Sequence, residues 1–395
     1  MSKLRQSTQL IHHPYHAPEG FAAMNVPVHK ASTVFFESVA QMRATDWRVG
    51  QPYSYGLHGT PTTYTLEARI ATLEGGKHCL LAPSGLSAIA IVNLSLLKQG
   101  DEVLIPDNMY GPNRDLLYSL LANYGVSTQV YDPLHADRLE LRSHTRLLWL
   151  EAAGSITMEF PDLQGLIARA KQAGVLTVLD NTWGAGLAFC SFDHGVDISV
   201  HALTKYPSGG GDVLMGSIVC RDDALFQSLK ITHGQLGIGV AANDAELVLR
   251  NLPSLALRYD AQDRTAKTLA QWCGAQPEIA QVLHPALPES AGHAYWQQVC
   301  GATGRAAGLF SVIFASHYSQ AQVDQFCDAL RLFKIGYSWG GPISLVMPYH
   351  LPAIRRQPTP HLVQGCLVRF SIGLENIADL QADLQQALAV FRENA

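Results

Sequence analysis

From Thr62 onward, amphipathic stretches alternate with short apolar runs: HCLLA from His78, EVLIP from Glu102, TQVYD from Thr128, RLLWLE from Arg146, VLTVLD from Val175, DISVHA from Asp197 and GSIVC from Gly216. Runs this short and this apolar read as strands covered on both faces, and helices between them predict a mostly parallel, doubly wound sheet. Open sheets of that kind bind ligands beyond the carboxyl ends of their strands. Residues 1–58 carry no such rhythm. They are rich in Pro, His and Gly, show a helical pattern only at Glu37 to Thr45, and predict an irregular arm that must pack on something else. A helical stretch from Asp244 to Trp272, broken near Pro253, leads into a different pattern. An apolar run at Gly308 to Ala315, a helix at Gln320 to Phe333, a strand at Cys366 to Ile372 and a terminal helix from Ala378 predict a smaller α+β domain. The expected organisation is α/β: an arm over 1–58, a large domain over 59–245 and a small C-terminal domain over 246–395.

Composition narrows the function classes. With 395 residues and 47% hydrophobic content the chain can bury large cores, which excludes disorder and fibre. Lys and Arg number 28 against 33 Asp and Glu, without a like-charge block, so a nucleic-acid partner is not expected. Cys79 to Leu97 is free of ionised residues, but Pro83, Gly85, three serines and Asn93 make it a buried strand, a turn and a buried helix rather than a membrane span. The N-terminus has no apolar stretch of signal-peptide length. Seven cysteines, widely spread and without a CxxC pair, predict core thiols in a reducing compartment, the cytoplasm. His12, His13 and His16 read as an exposed loop; no metal is expected.

Placed at the strand ends, several groups converge on one edge. HCLLA runs through Pro83, Ser84 and Gly85 into a helix whose first amides, at Gly85 and Leu86, suit an anion, although an ordinary turn has the same sequence. Tyr110 follows EVLIP and is placed either to stack on a flat ring or to pack. Asp180 ends VLTVLD, where it either finds a cation or caps the next turn. Lys205 follows DISVHA; a desolvated amine there is a nucleophile, while a surface lysine is the plain alternative. The glycines 209–211 match no nucleotide fingerprint and suit a close backbone approach to Lys205. A flat, phosphorylated aromatic aldehyde uses all four groups together, and pyridoxal phosphate is that molecule.

Eight separate motifs carry a resemblance over nearly the whole chain: YGLHGTPT from Tyr55, LEGG at 73–76, PSG at 83–85, EAAGSITME at 151–159, VLDNTWGAG at 178–186, ALTKY at 202–206, YSWGG at 337–341 and VRFSIGLE at 368–375. The chain thereby resembles the Cys/Met-metabolism family of pyridoxal-phosphate enzymes, of aspartate-aminotransferase type (fold type I), and within it most closely the β-lyases that split cystathionine. The resemblance implies that Lys205 is the Schiff-base lysine, that Asp180 pairs with the pyridine nitrogen and that Tyr110 stacks on the ring. Gly85, Leu86 and Thr204 then hold phosphate, Arg369 clamps the substrate carboxylate with Ser338 and Trp339 beside it, and His58 stands near the distal end of the substrate. Tyr55 is the residue that reaches a neighbouring subunit's site, so the implied assembly is a homotetramer of dimers with shared sites. The implied reaction is cleavage of L-cystathionine to homocysteine, pyruvate and ammonia; γ-lyase, γ-synthase and desulfhydrase chemistries are the alternatives in the family. Trp183, Trp339 and Met158 favour β-elimination by pattern. The chain departs from the family at Leu57, which replaces a phosphate-binding arginine, at His58, where a basic residue is often found, and at Ala202, which replaces a phosphate-binding serine.

Overall fold

The computed structural model describes residues 4–15, 17, 19–20, 23–49 and 53–393. His16 lies outside them. The seven apolar runs form one sheet: β1 (His78–Ala82), β2 (Glu102–Pro106), β3 (Ser127–Tyr131), β4 (Thr145–Glu151), β5 (Leu176–Asp180), β6 (Ile198–His201) and β7 (Gly216–Cys220). Their spatial order is β1-β7-β6-β5-β4-β2-β3. All are parallel except β7, which runs antiparallel to both its neighbours. The mostly parallel expectation therefore holds with one reversal that no residue pattern in GSIVC announces.

Side chains alternate between the two faces of the sheet with the strand period of two. Leu81, Leu104, Leu148, Leu150, Leu179 and Val219 join one apolar cluster, and Leu80, Val103, Ile105, Leu147, Trp149, Val178 and Ile218 join the other. On the first face packs the helix Pro61–Glu74. Thr60 and Thr63 close a capping box at its start, Pro61 fills the first turn, and Gly75 ends it at φ +77°. On the second face packs Gly85–Leu96. Cys79 to Leu97 is thus a buried strand, a turn and a helix, and among the described residues no helix is long and apolar enough to cross a membrane.

The helical stretch after residue 240 is two helices, Ala242–Asn251 and Leu255–Gly274, with a single turn at Leu252–Ser254 around Pro253. A second sheet follows, built from β8 (Ile279–Leu283), β9 (Leu309–Phe314), β10 (Lys334–Ile335), β11 (Leu345–Tyr349) and β12 (Leu367–Ser371), in the order β10-β11-β12-β9-β8. Phe310, Val312, Phe314, Val368 and Phe370 build a separate aromatic core on one face, while Leu309, Ile313 and Leu367 pack toward the large sheet. Several elements differ from expectation. The helix expected over 320–333 ends at Ala329, because Asp383 accepts the backbone amides of Arg331, Leu332 and Phe333 and turns the chain toward β10. Strand β8 is only half-buried, and β11 contains Pro348; neither matches an apolar strand pattern. In the arm, Gln6–Ile11 is an additional short helix, and Val39–Ala44, capped by Ser38, is the expected one. His12 ends the first of these and His13 bonds the Thr72 hydroxyl at 3.3 Å. All seven cysteines are free, five of them buried.

Candidate active site

A pocket opens beyond the carboxyl ends of β1, β2, β4, β5 and β6. Among its lining residues are Ser84, Gly85, Leu86, Tyr110, Glu151, Asp180, Trp183, Thr204, Lys205 and Trp339. At the end of β1, Ser84 caps the helix Gly85–Leu96 by accepting the Ser87 amide at 3.0 Å, which leaves the amides of Gly85 and Leu86 free of helical partners. A Cβ on Gly85 would stand 2.7 Å from that of Ala202, so the turn can pass against β6 only without a side chain. Thr204 lines the pocket, but its hydroxyl donates to the Met215 carbonyl at 3.2 Å and accepts the Met215 amide at 3.0 Å. Its proton is already committed to joining β6 to β7.

Lys205 follows β6, its ammonium 4.7 Å from the centre of the Trp339 ring and donating to the Ser338 hydroxyl at 2.8 Å. Ser338 adopts φ +97°, a strained value for a residue with a side chain. Next to it, a Cβ on Gly340 would stand 2.8 Å from the Tyr206 amide nitrogen, so YSWGG presses its backbone on the lysine loop. Gly341 lies against Gly211, consistent with a close backbone approach by the glycine run. Burial, reinforced by the Arg369 charge and opposed by Asp180, lowers the Lys205 ammonium to about 8. Reaction of Lys205 with an amine-directed reagent, followed by peptide mass spectrometry on the cofactor-free chain, is expected to rise as pH passes through about 8. Surface lysines respond only at higher pH; a Lys205 profile that coincides with theirs would contradict the buried amine.

Two carboxyls lie side by side on the pocket floor, because Glu151 and Asp180 are register partners on β4 and β5. Burial raises both, and the charge of Asp180 raises Glu151 further. Asp180 accepts the Thr182 amide at 3.0 Å and faces the positive side of Lys205. Behind it the fully buried Glu74 accepts from Asn181 at 2.8 Å, Ser199 at 3.0 Å and His201 at 2.8 Å, which ties the ends of β5 and β6 together. That assigns LEGG a structural reason.

Arg369, on β12, is buried. Its guanidinium donates to the Ser155 carbonyl at 3.1 Å and lies over the rings of Trp339 and Tyr349 at 5.4 and 5.3 Å. Among the described residues no carboxylate pairs with it, so a planar donor fork stands desolvated next to the pocket. The indole N–H groups of Trp183 and Trp339, also buried there, have no hydrogen-bond partner among the described residues. These orphaned donors, the free helix amides, the amine and the buried carboxylate form a donor set that fits pyridoxal phosphate bearing an amino acid.

Not every expected residue is brought in. Tyr55 and His58 do not line this chain's pocket: Tyr55 bridges to Thr33, and His58 stacks on Trp47 at 4.7 Å. Leu57 packs toward Gly239 instead. Met158 is buried behind the pocket at φ +60°. Conversely, Glu151, Ser155, Thr182 and Ser84 form part of the pocket without having been assigned roles. Glu151 carried the same signal as Asp180, an acid ending an apolar strand.

A second acidic centre lies outside the pocket. Glu159, fully buried, accepts from Thr157 at 2.6 Å and His361 at 2.9 Å and is paired with Arg355. Burial opposes its ionisation, but the Arg355 charge and the bonds from His361 and Thr157 outweigh that and hold its carboxyl at about 2. This ties the 350–361 segment to the loop after β4. Glu159→Ala leaves Arg355 buried without this partner and is expected to destabilise the protein by ~3 kcal/mol or more in urea unfolding; an unchanged midpoint would remove the pair from the account.

The pattern of one protein family, described as Cys/Met metabolism PLP-dependent enzyme, matches residues 7–389. The chain is 38% identical over 379 residues to the cystathionine beta-lyase of Bordetella avium, covering 95% of this chain and 94% of that one. It is 35% identical over 397 residues to cystathionine beta-lyase MetC of Escherichia coli K12, covering 98% and 99%. The crystal structure of metB from Corynebacterium glutamicum superposes with a TM-score of 0.89 at 28% identity, covering 98% of both chains.

Proposed function

The chain belongs to the Cys/Met metabolism PLP-dependent enzymes, and from that premise we propose that it is a carbon–sulfur lyase that cleaves L-cystathionine to homocysteine, pyruvate and ammonia in sulfur amino-acid metabolism. The observation that carries this reading is the meeting, in one pocket, of the lowered Lys205 amine with the buried Asp180 carboxylate, next to a buried arginine that has no carboxylate partner. The choice of β-elimination rests on relatives named for it.

When bound, pyridoxal phosphate supplies an electron sink for negative charge at the amino acid's α-carbon. The protein's part follows from its own groups. The amides of Gly85 and Leu86 would hold the phosphate at the helix start, Tyr110 would stack on the ring and Asp180 would keep the ring nitrogen protonated. Thr204 holds its place through Met215 and assists the phosphate site by shape, because its hydroxyl proton is already used. Lys205 would bind the cofactor, and its amine, once the substrate amine has displaced it, would take the α-proton and return a proton to the departing sulfur. Ser338 orients that amine. Arg369 binds the α-carboxylate, with the Trp339 ring closing one side.

Tyr55 and His58 act across a subunit boundary in this reading, in a homotetramer of dimers, which accounts for their distance from this chain's own pocket. His58 there meets the distal end of cystathionine, and Leu57 takes the place of a phosphate-binding cation. The free thiols support a reducing compartment, the cytoplasm. The test is to incubate the cofactor-loaded protein with L-cystathionine and identify the oxo acid released. Pyruvate with homocysteine is expected; oxobutyrate with cysteine would move the protein to γ-elimination.

A further inference from the structure

Glu151 lines the floor of the pocket beside Asp180, and two chains of contact leave from it. Its Oε2 accepts the backbone amide of Tyr110 at 2.6 Å, and its Oε1 accepts the backbone amide of Ser155 at 3.2 Å. The Ser155 carbonyl in turn accepts from the Arg369 guanidinium at 3.1 Å. All three bonds lie in buried or half-buried surroundings, with Glu151, Ser155 and Arg369 each about 95% buried. Two loops that share no strand pairing at these positions, the one after β2 and the one after β4, are thereby held by one carboxyl group.

We propose that Glu151 is a positioning residue that sets the ring of Tyr110 and the guanidinium of Arg369 as one unit, so that cofactor stacking and carboxylate binding are coupled. A backbone amide held at its nitrogen fixes the Cα and with it the direction in which Tyr110 projects. The Ser155 amide and carbonyl belong to one residue, so a shift at the Glu151 end carries over to the guanidinium. An apolar residue ending β4 would spare the fold two neighbouring acids, since Asp180 stands beside Glu151 in register, and burial and that neighbour push the Glu151 carboxyl toward its neutral form. It would leave both loop amides without their acceptor. The inference rests on the proposed roles of Tyr110 and Arg369.

The test is a double-mutant cycle on the cofactor-loaded enzyme with Glu151→Ala, Arg369→Ala and the pair. The first readout is KM and kcat for L-cystathionine. The second is the change in the cofactor's visible absorption on titration with L-alanine, which binds by amine and carboxylate but has no sulfur to expel. Glu151→Ala is expected to weaken L-alanine binding ~10-fold. Arg369→Ala is expected to lose ~5-fold less in that background than in the wild type. Glu151→Gln, whose amide oxygen retains one of the two loop amides, should fall between, and it carries the cycle should the alanine variant not fold. Additive losses, or wild-type L-alanine binding in both Glu151 variants, would overturn the proposal. A wild type that binds L-alanine but releases no oxo acid from cystathionine would instead refute the lyase reading and leave the coupling measurable. One whose absorption ignores L-alanine would overturn the coupling, while the oxo acid released from cystathionine decides the lyase reading separately.

Discussion

Lys205→Ala is expected to lower turnover of L-cystathionine by ~10³-fold or more and to leave the cofactor without its covalent link, so that dialysis removes it. The size follows from two losses at one atom. In the proposed function the amine both binds the cofactor and is the base at the α-carbon; a positioned base alone contributes ~10²–10⁴-fold. Ser338 and the Trp339 face hold that amine in place, and burial with the Arg369 charge lowers it to about 8. The measurement is kcat by pyruvate release together with the absorption spectrum before and after dialysis. Turnover within tenfold of the wild type would refute the assignment of Lys205. Retained linkage would place the cofactor on another lysine.

Arg369→Ala is expected to raise KM for cystathionine by ~10²-fold or more, with a smaller fall in kcat. Its guanidinium is buried and, among the described residues, meets only a carbonyl and two ring faces. In the proposed function the substrate α-carboxylate is the partner that offsets its desolvation, and truncating one member of a buried charged pair costs ~2–5 kcal/mol. Arg369→Lys keeps the charge but loses the fork, so its KM should lie between the two. Removing the guanidinium also withdraws one of the charges that depress Lys205, so the pH at which the amine becomes neutral should rise. An unchanged KM in Arg369→Ala would mean that the carboxylate binds elsewhere.

Much of this site was legible in residue order, because doubly wound sheets place ligands at strand ends and a strand end is visible as the last polar residue of an apolar run. Asp180 and Lys205 stand out on that rule. Glu151 obeys it equally, yet its use depends on loops meeting from β2 and β4, which spacing does not reveal. Arg369 was identifiable only by resemblance, since nothing in CLVRFSIG distinguishes a clamp from an ordinary strand arginine. The reversal of β7 was illegible for a related reason: buried parallel and antiparallel strands share the same apolar composition. The strands β8 and β11 were missed because half-burial and Pro348 erase the local signal that pairing with β9 and β12 overrides.

The sequence by itself determined the seven strands of the large sheet and the motifs, PSG at 83–85 and ALTKY at 202–206 among them, that mark the pyridoxal-phosphate family, since each depends on residues within a few positions of one another. Only the tertiary structure decided that the Thr204 proton is spent on Met215, that Arg369 has no carboxylate partner, that Glu151 ties two loops together, and that Tyr55 and His58 lie away from their own chain's pocket. Hydrogen bonds and desolvation act between atoms brought together from distant parts of the chain, so they exist only once the sheets have packed.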